Sequence, residues 1–268
     1  MAVNLYFIFV IVCVLGDVSC KITPKSNTRA LTHAKSFRYT VPKQDISIPI
    51  MIHMDTAVTH QMSKIKGYKK TKEGRRRLNF TPKLILEEVE KKLRSLDQRV
   101  HLKLVNFKIV TNQTLDMDEN VSEYLKNYCA WQKNMKMKKG EPYFSVLLTG
   151  LDVYYIGKNG QKVRESTGRG YMGRMCSMHR SCAVVKWHEK DLVYLLAHEI
   201  AHSLGVYHDG FKNSCRAGFI MASQYSRQNV PQHWSTCSKT HLEEFLMNKE
   251  KSWCVNTKFK KIARRKRN

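Results

Sequence analysis

Acidic residues are scarce in this chain of 268: 22 Asp and Glu stand against 47 Lys and Arg, leaving a formal charge of +25. The basic excess gathers at residues 64–77 and 258–267. On the plain reading such runs are solvated surface. On the functional one they hold polyanions such as heparan sulfate, or acidic protein faces. Each run holds a single aromatic, Tyr68 and Phe259, too few to interleave as stacking platforms, which argues against nucleic acid as a partner. Apolar stretches of membrane length are missing, so no membrane span is expected. Repeats and low-complexity stretches are missing too, which excludes solenoids and fibrous arrays. What remains is long enough for one sizeable core, or two small subdomains around a cleft. A monomer is expected.

The one marked apolar run near the start, LYFIFVIVCVLG at residues 5–16, is too short to cross a bilayer comfortably. Val18 and Cys20 are small residues of the kind a signal peptidase tolerates. Residues 1–20 therefore read as a secretory signal cut after Cys20, although no Lys or Arg precedes the run. A secreted, extracellular product follows. Residues 21–44 form a basic, Ser/Thr-rich segment, residues 45–256 the folded domain, and residues 257–268 a basic tail. With the signal gone, Cys129, Cys176, Cys182, Cys215, Cys237 and Cys254 remain. An even number in a secreted chain reads as disulfides, with the pairing left open by counting alone. Sequons at Asn79, Asn112 and Asn120 agree with the secretory route.

Residues 46–54, ISIPIMIHM, predict a buried strand. Thr81 is placed to cap a helix with Pro82 at its first position, and Leu84, Ile85, Val89 and Leu93 mark its buried stripe. Residues 101–110 alternate like a half-buried strand. Ser122 is placed to cap a second helix, and residues 143–149, YFSVLLT, predict another buried strand. Residues 168–176, GRGYMGRMC, predict an edge strand whose glycines let another backbone come close. A short strand or loop at 182–186 leads to a helix over 191–204. Irregular chain over 209–236 follows, and Ser238 is placed to cap a last helix. This order gives an α/β fold, a mixed sheet packed by helices.

The densest chemistry lies in HEIAHSLGVYHD, residues 198–209. His198 and His202 are four apart, so on a helix they share one face. Glu199 sits beside the first, able to reach a water on a metal without ligating it. Gly205 can end the helix and turn the chain, bringing His208 back as a third ligand. Three protein ligands leave a fourth position for water, as in a catalytic zinc site. The blander reading, three ordinary polar histidines on an amphipathic helix, leaves Gly205 and His208 as coincidences.

This pattern resembles the metzincin metalloproteases, whose long motif is HExxHxxGxxH followed by a Met-turn. Met221, within GFIMAS, takes the Met-turn position by that resemblance. Asp209 after the third histidine is the mark of the reprolysin (adamalysin) branch, where it holds the turn by hydrogen bonds. NYCAWQK at 127–133 and GYMGRMCSMHRSC at 170–182 resemble segments of ADAM and ADAMTS proteases. The resemblance implies a metzincin fold: a mixed twisted sheet with helices in an upper subdomain, a smaller irregular lower subdomain, and zinc in the cleft between. It implies one catalytic zinc held by His198, His202 and His208, with Glu199 as general base. It also implies the disulfides Cys129–Cys182, Cys176–Cys254 and Cys215–Cys237. Substrate would lie extended along the edge strand. An apolar specificity pocket would sit between the zinc helix and the chain after Met221, up to about Val230.

The sequence departs from the family at its surface calcium site, where Pro49, Tyr143 and Lys186 replace acidic residues, so weak or absent calcium binding is expected. Residues 21–44 hold no cysteine for a thiol switch, and no cysteine-rich domain follows Cys254. In organisation the chain resembles the small reprolysins of arthropod saliva and venom. The expected function is a secreted zinc metalloendopeptidase acting on extracellular or host proteins. The alternative is a metzincin scaffold without turnover that binds heparan sulfate or a protein partner through its basic surface.

Overall fold

A mostly parallel sheet organises the chain. The computed structural model describes residues 44–64, 72–139, 142–164, 168–224 and 226–255. The expected signal, nearly all of the basic N-terminal segment, the C-terminal tail and almost every side chain of the 64–77 run lie outside the described residues. In chain order the elements are β1 (Ile46–Asp55), α1 (Thr56–Ser63), α2 (Lys72–Arg94), β2 (Val100–Val110), α3 (Val121–Lys139), β3 (Phe144–Thr149), β4 (Tyr155–Ile156), β5 (Lys162–Val163), β6 (Gly168–Gly170), β7 (Cys182–Lys186), α4 (Leu192–Ser203), α5 (Thr236–Met247) and α6 (Lys249–Ser252). The main sheet runs β2-β1-β3-β7-β6. Its first four strands are parallel, and β6 lies antiparallel at the edge. This is the α/β metzincin architecture expected.

Helices on both faces bury the central strands from two sides, which is why β3 reads as a continuous apolar run. Period-2 alternation then divides the side chains between two cores. Val146 and Leu148 of β3, with Ala183 and Val185 of β7, face the core shared with α2, α4 and α5. Leu147, Cys182 and Val184 face the smaller core built on Tyr124, Leu125 and Tyr128 of α3. The buried Asp55 carboxylate is paired through both its oxygens. Asp55 Oδ1 caps α1 by accepting from Val58 N at 2.9 Å and also accepts from Gly150 N at 3.1 Å. Tyr124 donates to the other carboxylate oxygen at 3.2 Å.

Three disulfides tie the frame, pairing Cys129 with Cys182, Cys176 with Cys254, and Cys215 with Cys237. They join α3 to β7, the loop after β6 to the chain beyond α6, and the irregular chain after α4 to α5.

Several local expectations need correcting. The helix expected to start at Thr81 begins at Lys72, and Pro82 lies inside it. A proline costs least at a helix start, but long tertiary contact lets a helix continue through one. Leu84 is exposed and Leu86 is buried beside Val89 and Leu93. Asn120, whose side chain accepts from Ser122 N at 3.1 Å, stands where Ser122 was placed as the cap of α3. The edge strand is confined to β6, three residues rather than nine. Ser235, not Ser238, caps α5: its hydroxyl accepts from Ser238 N at 3.0 Å.

Candidate metal centre

Buried residues make up almost the whole of α4, because it runs beneath the sheet against α2. His198 and His202 stand one turn apart on it. The helix ends in a Schellman turn: Gly205 N donates to His202 O at 2.9 Å and Val206 N to Ala201 O at 3.0 Å. Gly205 has φ +83, open to glycine and strained for other residues, and a Cβ there would lie 3.3 Å from Phe245 Cβ. The turn carries the chain back so that His208 Nε2 lies 3.0 Å from His202 Nε2 and 3.2 Å from His198 Nε2.

Two nitrogens sharing one tetrahedral zinc at about 2.0–2.1 Å each must lie roughly 3.3 Å apart. The observed spacing fits that requirement. Backbone carbonyls set the rings: His198 Nδ1 donates to Ile220 O and His202 Nδ1 to Val206 O, both at 2.8 Å. With Nδ1 carrying the proton, each Nε2 turns a lone pair inward, the arrangement that orients metal-binding imidazoles. Burial disfavours the protonated form of all three rings. It pushes His198 down to about 4, and it lowers His202 and His208 as well.

Glu199 follows His198 on α4 and is buried. Its surroundings raise the carboxyl to about 8, through loss of solvent, against which the Arg169 charge acts. A carboxyl so placed holds a proton far more readily than a surface one and is suited to acid–base work. The structure therefore brings together the three histidines singled out in the motif and buries Glu199 on the same helix.

The family model for reprolysin (M12B) family zinc metalloproteases matches residues 59–258. The chain belongs to this family. Among curated relatives, human "A disintegrin and metalloproteinase with thrombospondin motifs 7" is 29% identical over 163 residues, 57% of this chain and 9% of that protein. Mouse "A disintegrin and metalloproteinase with thrombospondin motifs 12" is 30% identical over 172 residues, 60% of this chain and 10% of that protein. The match thus spans about a tenth of the length of these relatives.

Other residues of this reprolysin domain support the site. Asp209 N donates to Met221 O at 2.9 Å, and Asp209 Oδ1 accepts from Ser235 Oγ at 2.5 Å. Met221 is fully buried in the main core. Asn213, which sequence reasoning missed, donates from Nδ2 to His208 O at 2.9 Å and accepts from Gly210 N at 3.0 Å. Its position three residues past Gly210 was the available signal, since Asn folds turns through such bonds. Ser235 was missed because a second serine three residues on offered an equally plausible cap.

A cavity of about 600 Å³ opens between the residues leading into α4 and Arg227 and Gln228. Trp187 apart, its lining side chains are polar or charged. Asp191 lies among them: its buried carboxylate is held by His188 Nδ1 at 2.6 Å and faces Arg227 Nε at 3.6 Å. At the departures from the calcium site, Lys186 Nζ lies 2.5 Å from Asp152 Oδ1. The hydroxyl of Tyr143 donates to Gln132 Oε1 at 3.1 Å. A cation of the chain's own thus sits on Asp152.

Proposed function

We propose that this reprolysin is a secreted zinc-dependent endopeptidase cutting extracellular or host proteins, with His198, His202 and His208 as ligands and Glu199 as general base. The convergence of three histidine nitrogens on a helix that also carries a buried carboxylate, Glu199, carries this reading. Bound there, zinc supplies Lewis-acid chemistry, bringing the pKa of a water toward about 7 and polarising a peptide carbonyl. The carbonyls of Ile220 and Val206 hold two of the rings in the tautomer that ligation needs. Glu199 takes the proton of the attacking water and hands it to the leaving amine. The free edge of β6 offers backbone groups to an extended substrate, which adds as a further strand.

We assign catalysis to residues 45–256. Three disulfides and the apolar run at residues 5–16 support secretion. The charge of +25 supports retention on heparan sulfate, which would show as heparin binding that weakens steeply with salt. The deciding experiment digests denatured casein with wild type, with wild type plus a zinc chelator, and with Glu199→Ala. Wild type cleaves and chelation stops it. Glu199→Ala keeps its metal and fold and loses cleavage. A Glu199→Ala protein that digests casein at the wild-type rate would falsify the assignment.

A further inference from the structure

The two ends of β6 are glycines, and neither has positive φ, so backbone conformation does not call for them. Space does. A Cβ on Gly168 would lie 2.9 Å from Glu199 Oε1 and 3.2 Å from Glu199 Cγ. A Cβ on Gly170 would lie 3.1 Å from Glu199 Oε2 and 3.7 Å from Glu199 O. Both distances to the carboxylate oxygens are tighter than side-chain carbons ordinarily make. Strand alternation puts Gly168 and Gly170 on one face of β6, toward α4, with Arg169 on the other.

We propose that Gly168 and Gly170 are positioning residues for the Glu199 carboxylate, their bare Cα atoms forming the wall on which its two oxygens rest, one against each. The proposal rests on Glu199 being the general base. Burial denies this carboxylate a hydration shell to define its place, so the packed wall fixes its two oxygens with respect to the metal ligands. A methyl group on Gly168 meets the far end of a flexible side chain first and the Val184 carbonyl, at 3.1 Å, second. The side chain yields more cheaply than the sheet. The substitution therefore moves the base and leaves the strand nearly in place. Displacement of a catalytic group by about 1 Å costs on the order of 10²-fold in rate.

The test compares Gly168→Ala and Gly170→Ala with wild type on a quenched fluorescent peptide, recording kcat, KM, zinc per chain and thermal midpoint. The expected result is kcat lower by roughly 10- to 100-fold in Gly168→Ala and by less in Gly170→Ala, with KM within about twofold and zinc retained. Glu199→Asp supplies the second arm. Its shorter side chain withdraws from the wall, so adding Gly168→Ala to it costs little further kcat, whereas a merely structural role gives losses that multiply. Both glycine variants holding wild-type kcat with zinc bound, or losses that multiply with Glu199→Asp, overturn the proposal. Failure of the underlying reading looks different: there Glu199→Ala itself keeps wild-type activity.

Discussion

Gly205 turns the chain at the one point where the third histidine must be redirected, and it does so with φ +83. An alanine there takes a left-handed conformation costing about 1–2 kcal/mol, with a Cβ contact at 3.3 Å to Phe245 added. Gly205→Ala is expected to lower the thermal midpoint and weaken zinc retention together, since the turn also aims His208. Unchanged zinc affinity in dialysis against a chelator would count against this coupling. His53 makes a second residue-scale case. It is buried beside Tyr128, 2.9 Å from its hydroxyl, and burial, then the charges of Lys108 and Lys136, lowers its imidazole to about 3. As pH falls below 6.5 the unfolded chain takes up a proton that the native chain refuses. Stability from this residue therefore declines from pH 6.5 down to about 3. Urea midpoints of His53→Gln should fall less steeply than wild type over that window; parallel curves would contradict the assignment.

Elements differ in how far the sequence discloses them. The metal helix was readable because its evidence is local: four-residue spacing, a glycine stop, and a histidine three residues past the stop. Pro82 misled because a proline at a helix start and one inside a helix look alike without the tertiary contacts that carry α2 past it. In residues 168–176 the glycines correctly signalled close approach, but the approaching group is a carboxylate from α4, and strand pairing ends after three residues. Which serine caps α5 was undecidable locally, since Ser235 is selected by Asp209, 26 residues away in sequence. Ser235→Ala removes that bond and the bond from Ser238 N. It should cost about 1–2 kcal/mol in urea denaturation, and Asp209→Ala should add little to it. Full additivity of the two losses would separate the cap from the turn.

Lys136 shows the whole-molecule scale, because its ammonium is buried between α3 and the sheet. It donates to Ser181 O at 2.6 Å, and Ser181 Oγ in turn donates to Met175 O. Met175 N and Gly173 N donate to Ser203 O and His202 O at the end of α4, completing a path from the smaller core to the metal helix. Burial lowers Lys136 to about 7, so between pH 7 and 10.5 the unfolded chain holds a proton that the native chain has released. Stability from this residue rises with pH across that window. Lys136→Met should flatten the rise of the urea midpoint between about pH 7 and pH 9.5; an unaltered slope would assign the rise elsewhere. The Cys176–Cys254 bond acts over a longer range, closing a sequence separation of 78. Replacing both cysteines by alanine should cost about 4.5 kcal/mol on the loop-entropy model, read as a lower thermal midpoint.

The bridges also interlock along the chain. The loop from Cys129 to Cys182 overlaps the loop from Cys176 to Cys254. Any single backbone break between Cys129 and Cys254 consequently leaves one covalent body. A molecule nicked there migrates as an intact species on a non-reducing gel, and its fragments part only when a thiol is added.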